Sequence, residues 1–383
     1  MRNRWVRIIE GETTLRVPES SIKQREPPIY PVFYNPAAKL NRDISIITVS
    51  CTSGSSFADM MAGLGARSVR IAKETGREIE IHANDINKRA IVSCKVNAKL
   101  NNVEDMLSFS ALDMKLLSLK LKSKGKLFDY VDIDPFGSPA YYILHAIEAV
   151  RDGGILSVTA TDTAVLCGPQ RRVAERRYLA KTMHSSFTHE TGLRILIGFV
   201  CRIAGLADRG CFPILGHSSR HYLRAYFVLK EGATEAEKAI EELGYIVSCR
   251  NCLNVYKSKE VEKCIYCNKE AQYAGPLWIG RIADKALLKR MKHEAERRKK
   301  MKESEKLLHA IERSNGLPPY SFRIEDFCSS IHVPSVPYSR VKEMLESMGF
   351  RCEIQPYEKS GIKTDASYHE VLQAVKEVSK PSL

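Results

Sequence analysis

Segments with strand-like and helix-like patterns of apolar residues alternate between about residue 57 and residue 230. Short runs that are apolar throughout, or that alternate apolar and polar residues, predict strands, and apolar residues at helical spacing predict helices. The predicted strands are 57–61, 78–84, 106–111, 126–133, 154–161 and 222–230, the last as an edge strand. The predicted helices are 67–75, 87–100, 139–150 and 190–206. This alternation is typical of a parallel sheet covered by helices, so we predict an α/β fold of the Rossmann-like type.

The pattern changes at residues 231–236, a polar stretch that we interpret as a hinge between two domains. We therefore predict a first domain over 1–230 and a second, α+β domain over 231–383. In the second domain, residues 281–313 are rich in Lys, Arg and Glu, and residues 324–350 have the pattern of paired helices, with a hairpin after them. A chain of 383 residues is long enough for two or three domains.

The chain is basic, with 59 Lys and Arg against 45 Asp and Glu, a formal charge of +14. This surplus favours a polyanionic partner, because cations that bind phosphates release condensed counterions, although a lysine-rich composition alone would also produce it. No stretch approaches the roughly 20 apolar residues that cross a bilayer, and the first 12 residues lack the apolar core of a signal peptide. We therefore expect a cytoplasmic protein without membrane association and without an obligate protein partner.

Four of the eleven cysteines form two pairs, Cys249-x-x-Cys252 and Cys264-x-x-Cys267, within about residues 245–275. A C-x-x-C pair suits a turn that presents two thiolates to one ion, and two such pairs complete a tetrahedral zinc site. Four thiolates leave no open position for water. The spacing therefore predicts a structural zinc module rather than a catalytic metal.

A turn that contains Gly63 and Gly65 lies at a predicted strand-to-helix junction, where glycine allows a ligand to approach the backbone. Asp85 ends the next predicted strand, where a carboxylate can accept hydrogen bonds from both hydroxyls of a ribose. A dinucleotide enzyme would favour a third glycine where Ser68 stands. Arg67, beside it, can bind a carboxylate through two parallel hydrogen bonds. Because S-adenosylmethionine carries a carboxylate and no phosphate, the pattern favours this methyl donor over a nicotinamide cofactor.

The loop 134–139 (DPFGSP) follows the fourth predicted strand, at the edge where open α/β sheets bind ligands. Its two prolines restrict the loop and so fix the positions of Asp134 and Phe136. The exocyclic amine of guanine is weakly nucleophilic, and a carboxylate that accepts one of its hydrogens can also take the proton lost after methyl transfer. The ring of Phe136 can stack on an extruded base. We predict that both residues are catalytic in methylation of a base amine; the alternative is a proline-capped turn with a solvated Asp134.

Several motifs, in order along the chain, resemble those of the archaeal-type tRNA guanine-26 N2-dimethyltransferase family. They are 32–43 (VFYNPAAKLNRD), 134–139 (DPFGSP), 158–167 (VTATDTAVLC) and 361–365 (GIKTD). The loop 134–139 also resembles the D/N-P-P-Y/F loop of amino-methyltransferases. The resemblance implies a class I methyltransferase sheet, S-adenosylmethionine as co-substrate, tRNA as the partner, and a C-terminal tRNA-binding domain that carries the zinc module.

The resemblance also implies which residues bind the methyl donor: Arg42, Arg67, Asp85, Asp113 and Met114, with Asp85 on the ribose and Asp113 near the adenine. Asp134 is by the same resemblance the catalytic carboxylate. The chain departs from the family in one segment, because Met60, Met61, Ala62 and Gly63 stand where the family has small polar residues.

Two basic segments and two rival functions stay open. Residues 171–177 (RRVAERR) are either a grip on tRNA phosphates or a solvated basic helix, and for 281–313 we favour a solvated helix. The first rival function is a methyltransferase for adenine or cytosine amines of DNA. The second is a non-catalytic zinc-ribbon RNA-binding protein with a degenerate nucleoside fold, against which the intact Asp85 and Asp134 count. The sequence does not decide whether one or two methyl groups are added.

Overall fold

The computed structural model describes residues 4–24, 26–219, 221–357 and 361–380. The strands are β1 (Trp5–Glu10), β2 (Thr13–Pro18), β3 (Ser56–Asp59), β4 (Glu80–Asn84), β5 (Leu107–Ser110), β6 (Phe128–Ile133), β7 (Val150–Ala160), β8 (Arg209–Ser219), β9 (Tyr222–Glu231), β10 (Leu243–Ser248), β11 (Val255–Ser258), β12 (Gln272–Trp278), β13 (Cys352–Ile354) and β14 (Ile362–Thr364). The α-helices are α1 (Ser20–Lys23), α2 (Lys39–Cys51), α3 (Ala66–Glu74), α4 (Lys88–Leu100), α5 (Met114–Ser123), α6 (Ile143–Glu148), α7 (Thr163–Leu166), α8 (Arg171–Tyr178), α9 (Thr188–Gly205), α10 (Ala233–Glu241), α11 (Lys285–Arg297), α12 (Lys302–Ser314), α13 (Ile324–Ser330), α14 (Tyr338–Ser347) and α15 (Tyr368–Ser379).

A seven-stranded sheet with the order β5-β4-β3-β6-β7-β9-β8 forms the centre of the fold. Strands β3 to β7 run parallel, whereas β9 pairs antiparallel with both β7 and β8. The predicted Rossmann-like α/β sheet is thereby confirmed. The carboxyl ends of β3, β4, β5 and β6 lie side by side, so the loops that carry the predicted site residues share one edge of the sheet.

The prediction that residues 222–230 form an edge strand is wrong. Strand β9 lies inside the sheet, between β7 and β8, and β8 is the edge strand. The sequence did not indicate β8, because Gly210, Pro213 and Gly216 interrupt the strand pattern. Proline is tolerated at position 213 because β8 lies at the edge of the sheet and the pairing shifts between Pro213 and Leu215.

Elements that follow residue 231 complete both faces of the sheet. Helices α11 and α12 are amphipathic, and apolar residues such as Leu287 and Met291 join the core around α2 and α3. On the other face, β12 approaches α9 so closely that a side chain at Gly198 would lie 3.0 Å from the backbone of Leu277. Of the segment 231–236 that was interpreted as a hinge, Glu231 ends β9, Gly232 forms the turn and the remaining residues belong to α10. The division at residue 230 therefore stays a prediction, and its outer ends, 1–3 and 381–383, lie outside the described residues.

The C-terminal helices and hairpin have a core of their own. Helices α13, α14 and α15 enclose Phe327, Val341 and Val371 together with the β13–β14 hairpin, which confirms the predicted paired helices and hairpin. A buried ion pair joins this unit to α9, one of the helices that cover the sheet: Lys363 Nζ lies 2.5 Å from Glu190 Oε1. No helix in the described part of the chain is long and apolar enough to span a membrane.

Candidate active site

The loop after β6 presents Asp134 and Phe136 at the carboxyl edge of the sheet. Its path is fixed by Gly137, which has a φ of +74°, donates its N–H to Thr161 Oγ1 at 2.6 Å and accepts from Thr161 N at 2.9 Å. The Phe136 ring is 59% exposed and meets Phe33 edge to face, with 4.6 Å between ring centroids. An aromatic face that stays open to solvent next to a carboxylate suits the stacking of a base.

Arg67 connects Asp134 to the buried interior of the site. Its Nη2 donates to Asp134 Oδ2 at 2.5 Å, its Nε lies 3.3 Å from Asp132 Oδ1, and its Nη1 donates to Asn41 Oδ1 at 2.9 Å and to Ser45 Oγ. The Arg67 side chain is 6% exposed, whereas that of Asp134 is 27% exposed. The guanidinium therefore orients a carboxylate that remains open to a substrate.

Two buried carboxylates, those of Asp59 and Asp132, lie near the guanidinium of Arg67. Asp59 and Asp132 are paired residues on the neighbouring strands β3 and β6, and Arg224 on β9 forms an ion pair with Asp132. Burial and, after it, the charge of Asp132 raise the pKa of Asp59 to about 7, against the opposing effects of Arg67 and a 2.7 Å hydrogen bond from Ser68 Oγ. The two arginines thus compensate acidic groups that lie just below the exposed Asp134.

Asp85 lies where β4 ends, next to the glycine turn that follows β3. Its Oδ2 accepts from Gly63 N and its Oδ1 from Asn87 N, both at 2.8 Å, so the carboxylate is fixed while each oxygen keeps a free lone pair. Burial raises the pKa of Asp85, although these two backbone bonds act in the opposite direction. A Cβ at Gly65, where φ is +82°, would overlap Cys94 Sγ, so the turn requires glycine at this position. The arrangement suits a ligand with vicinal hydroxyls.

Asp113 and Met114 stand at the start of α5, on the strand end next to Asp85. Asp113 Oδ1 caps this helix by accepting from Lys115 N at 2.8 Å, and Met114 is buried. Asn84 ties these loops together, because its Nδ2 donates to Met60 O at 3.0 Å and to Leu112 O at 2.9 Å. One buried amide therefore links the loops after β3, β4 and β5.

The basic segment 171–177 lies within α8, which is attached to the loop 134–139. Tyr178, the last residue of this helix, accepts from Ser138 Oγ at 2.8 Å and donates to Asp162 Oδ1 at 2.7 Å. The side chains of Arg171, Arg172 and Arg176 are exposed. A cavity of about 650 Å³ beside them is lined by Arg171, His184 and the start of α7. The helix therefore carries three exposed cations and is joined to the loop 134–139 at its last residue.

The four paired cysteines come together in the second half of the chain. Their Sγ atoms all lie within 4.8 Å of one another, with 3.5 Å between Cys249 and Cys267 and 3.6 Å between Cys252 and Cys264. A tetrahedral zinc with Zn–S bonds of about 2.3 Å places its sulfurs roughly 3.7 Å apart, which these positions match. Each C-x-x-C turn is followed by a residue in the left-handed region, Leu253 and Asn268. The donor set fits the predicted structural zinc.

Comparison with known proteins gives results that agree with this geometry. The family model for N2,N2-dimethylguanosine tRNA methyltransferase matches residues 11–376. The chain is 35% identical to the tRNA (guanine(26)-N(2))-dimethyltransferase of Methanothermobacter thermautotrophicus, over 96% of this chain and 97% of the relative. The chain belongs to the N2,N2-dimethylguanosine tRNA methyltransferase family.

One further relative and one solved structure are similar to almost the whole chain. The tRNA (guanine(26)-N(2)/guanine(27)-N(2))-dimethyltransferase of Aquifex aeolicus is 34% identical over 97% of this chain and 96% of its own. The structure of Trm1 from Pyrococcus horikoshii in complex with S-adenosyl-L-methionine superposes with a TM-score of 0.85, at 28% identity, covering 96% of this chain and 99% of that one. Membership of the dimethyltransferase family decides against both rival functions, the DNA amine methyltransferase and the non-catalytic RNA-binding protein.

Within this family member, the predicted site residues fall into two groups. Asp85, Asp113, Asp134 and Phe136 follow strand ends at the shared edge, and Met114 lies directly behind Asp113. Arg42 and Arg67 instead use their N–H groups for hydrogen bonds to other residues of the chain. Arg42 donates through Nε and Nη2 to the two carboxylate oxygens of Glu10, both at 2.6 Å, and ties the β1–β2 hairpin to α2. The roles assigned to the residues of both groups, in binding the methyl donor or in catalysis, stay predictions.

Sequence reasoning missed residues that organise the site from other elements. Asn84 is the last residue of a predicted strand, and Asp132 and Arg224 lie within strands, where polar residues normally indicate a solvent face. Glu10 lies in a hairpin that the sequence analysis did not predict. Burial, which alone raises its pKa, is outweighed by Arg42 and Arg70, and the pKa of Glu10 is lowered to about 2. The available signal was charged residues inside otherwise apolar strands.

Proposed function

We propose that this enzyme transfers methyl groups from S-adenosyl-L-methionine to the exocyclic N2 amine of guanine 26 in tRNA. Family membership over almost the whole chain supports the reaction class. The main structural support for the mechanism is the ion pair between Arg67 and Asp134. The exposed Phe136 ring beside Asp134 provides a surface on which the extruded base stacks. We also propose that the enzyme works in the cytoplasm, where this substrate is found.

The proposed donor pocket uses the strand ends of β3, β4 and β5. Asp85 accepts hydrogen bonds from the ribose hydroxyls through the lone pairs that Gly63 and Asn87 leave free. Asp113 and Met114 line the adenine side. The bound donor supplies an electrophilic methyl group on a sulfonium sulfur.

The proposed catalytic group is Asp134. Its carboxylate accepts a hydrogen bond from the N2 amine, which raises the electron density on nitrogen and aims the lone pair at the methyl carbon. As the N–C bond forms and the S–C bond breaks, Asp134 takes the proton that the amine loses. Arg67 keeps the carboxylate in one orientation throughout, so the main catalytic contribution is positioning within a preorganised site. A second round on the same nitrogen gives dimethylguanine.

The proposed tRNA contact includes α8, where Arg171, Arg172 and Arg176 are exposed beside the catalytic loop. Because Tyr178 joins this helix to Ser138, a phosphate bound by α8 is held at a fixed distance from Asp134. Of the two interpretations of this segment, the attachment favours the grip on tRNA over a merely solvated helix. The overall charge of +14 agrees with such a partner.

Mass spectrometry of nucleosides from tRNA incubated with the enzyme and labelled methyl donor tests the proposal. We expect labelled N2-methylguanosine and N2,N2-dimethylguanosine from a tRNA with guanine at position 26. The matched control carries inosine at this position, which lacks only the N2 amine, and should incorporate no label. Label that persists in the inosine tRNA at a second guanine would instead indicate the dual specificity named for the Aquifex aeolicus relative. Methylated adenosine or cytidine as the product would contradict the proposal.

A further inference from the structure

Tyr222 carries a buried hydroxyl that has no hydrogen-bond partner within the described residues. Tyr222 is 5% exposed, so the surrounding chain holds its ring in place. A buried polar group without a partner costs free energy, and native structures rarely leave one except where a ligand or an ordered water completes it. The hydroxyl is therefore able to donate a hydrogen bond to a ligand.

The strand register places Tyr222 at the edge of the sheet that carries Asp134. Strand β9 runs antiparallel to β7, and Leu223 pairs with Ala160, so β9 begins where the parallel strands end. Side chains alternate along a strand, and Tyr222 therefore shares its face with Arg224, which bonds Asp132 below Asp134. Tyr222 thus lies two strands away from the strand that Asp134 follows, at the same edge of the sheet and on the face that carries Arg224.

The surroundings of Tyr222 keep its hydroxyl protonated and its ring in place. Burial and, after it, the phenol of Tyr226 raise the pKa of Tyr222 well above its usual value, so the hydroxyl is a donor at neutral pH. The ring meets His217 edge to face, with 5.7 Å between centroids. Both ring nitrogens of the buried His217 also have no hydrogen-bond partner within the described chain. Unsatisfied polar atoms therefore gather at this end of β8 and β9.

We propose that the Tyr222 hydroxyl donates a hydrogen bond to O6 of the extruded guanine while Asp134 accepts from its N2 amine. This inference rests on the proposed function. The Watson–Crick edge of guanine presents one acceptor, O6, next to two donors, N1–H and N2–H, and a carboxylate alone satisfies only the donors. A second protein group with the opposite polarity is required to fix the base in one orientation. Tyr222, a buried donor at the same edge of the sheet as Asp134, supplies this polarity and turns N2 rather than N1 toward the methyl group.

Single-turnover methylation of two tRNAs by wild type and Tyr222→Phe tests this contact. One tRNA carries guanine at position 26, and the other carries 2-aminopurine, which keeps the C2 amine but lacks O6. On the guanine tRNA, we expect Tyr222→Phe to be slower than wild type by about tenfold to a hundredfold, because O6 loses its donor. On the 2-aminopurine tRNA the two proteins should react at the same rate, and their affinities for the methyl donor should be equal.

Tyr130→Phe is the matched control, since this buried tyrosine donates to Ser53 O at 2.8 Å at the opposite edge of the sheet. It should keep the wild-type rate on both tRNAs. Equal rates of wild type and Tyr222→Phe on guanine, or an equal loss on both tRNAs, would overturn the proposal. If Tyr222→Phe does not fold, as judged by thermal melting, wild type alone decides on a tRNA with 6-thioguanine at position 26, which keeps N1–H and the N2 amine but has a weaker acceptor at position 6. A rate equal to that on guanine contradicts the contact, and a rate at least tenfold lower supports it. A wild type that does not methylate guanine at all would refute the proposed function itself.

Discussion

Arg67 donates from Nη2 to Asp134 Oδ2 across 2.5 Å and thereby joins the helix that follows the glycine turn to the loop that follows β6. The other guanidinium nitrogens are taken by Asp132, Asn41 and Ser45. The orientation of the proposed catalytic carboxylate therefore depends on a side chain that the sequence associated with the methyl donor. A variant that separates these two roles is informative.

Arg67→Lys keeps the charge but loses the fork that spans Asp132 and Asp134. We expect the single-turnover rate to fall roughly 100-fold, as for other misplaced reacting groups, with donor affinity almost unchanged. Asp85→Asn should behave in the opposite way and weaken donor binding by about 1.5–3 kcal/mol. Calorimetry with the methyl donor and single-turnover assays on both variants measure the two effects. A large loss of donor affinity in Arg67→Lys would show that Arg67 contacts the donor directly.

The double substitution Arg172→Glu and Arg176→Glu in α8 should weaken tRNA binding at least tenfold and leave donor affinity unchanged. The slope of log affinity against log salt should also become shallower, because fewer counterions are released. Fluorescence anisotropy with labelled tRNA at several salt concentrations measures both quantities. The double substitution Lys120→Glu and Lys124→Glu is the control with the same change of charge, since both lysines are exposed, Lys120 on α5 and Lys124 in the turn before β6. An equal loss in the control would mean that the effect is one of net charge alone.

Cys264→Ser should abolish the binding of one zinc per chain and destabilise the second half of the chain, because binding energy in a four-thiolate site is folding energy. Donor affinity should survive, since the donor pocket is built by the sheet. Metal analysis, thermal melting and calorimetry test these points together. Cys51→Ser, which lies outside the cluster, should retain the metal. Full zinc occupancy in Cys264→Ser would rule out the four-cysteine site.

His217 makes stability depend on pH. Burial, and then the charges of Arg224 and Arg67, lower the pKa of His217 to about 3 in the folded state. Between about pH 6.5 and 3, His217 is protonated in the unfolded chain and neutral in the folded chain. Lowering the pH through this range therefore favours unfolding, whereas above pH 6.5 His217 is neutral in both states and has no such effect. Wild type should lose up to about 1.4 kcal/mol per pH unit relative to His217→Phe in this window. Chemical unfolding at several pH values measures the difference, and His293→Gln, an exposed histidine, should follow wild type. Parallel curves for wild type and His217→Phe would contradict the assignment.

The sequence predicted most of the sheet because its strands are short apolar runs that end in polar residues. Asp85 and Asp134 were singled out in this way, since open α/β sheets bind ligands at the carboxyl ends of their strands. Strand β8 was missed because Pro213 is compatible with a strand only at an edge or a bulge, and neither is visible in a linear pattern.

The engagement of Arg67 could not be predicted either. Its partners come from α2, β6 and the loop after β6, which are separated by up to about a hundred residues in the chain. Only the folded sheet brings Asn41, Asp132 and Asp134 around one guanidinium. The same reason applies to Tyr222, whose place at the same edge of the sheet as Asp134 follows from the antiparallel register of β9.

The most direct test of the account is single-turnover methylation of guanine-26 tRNA by Asp134→Asn, with donor affinity measured on the same preparation. The substitution keeps the size of the side chain and removes its ability to take the proton from the N2 amine. We predict a donor dissociation constant within about twofold of wild type and a rate lower by roughly 10²–10⁴-fold, the range of general-base contributions. A rate close to that of wild type would contradict the account, as would a loss of donor binding large enough to explain the lower rate.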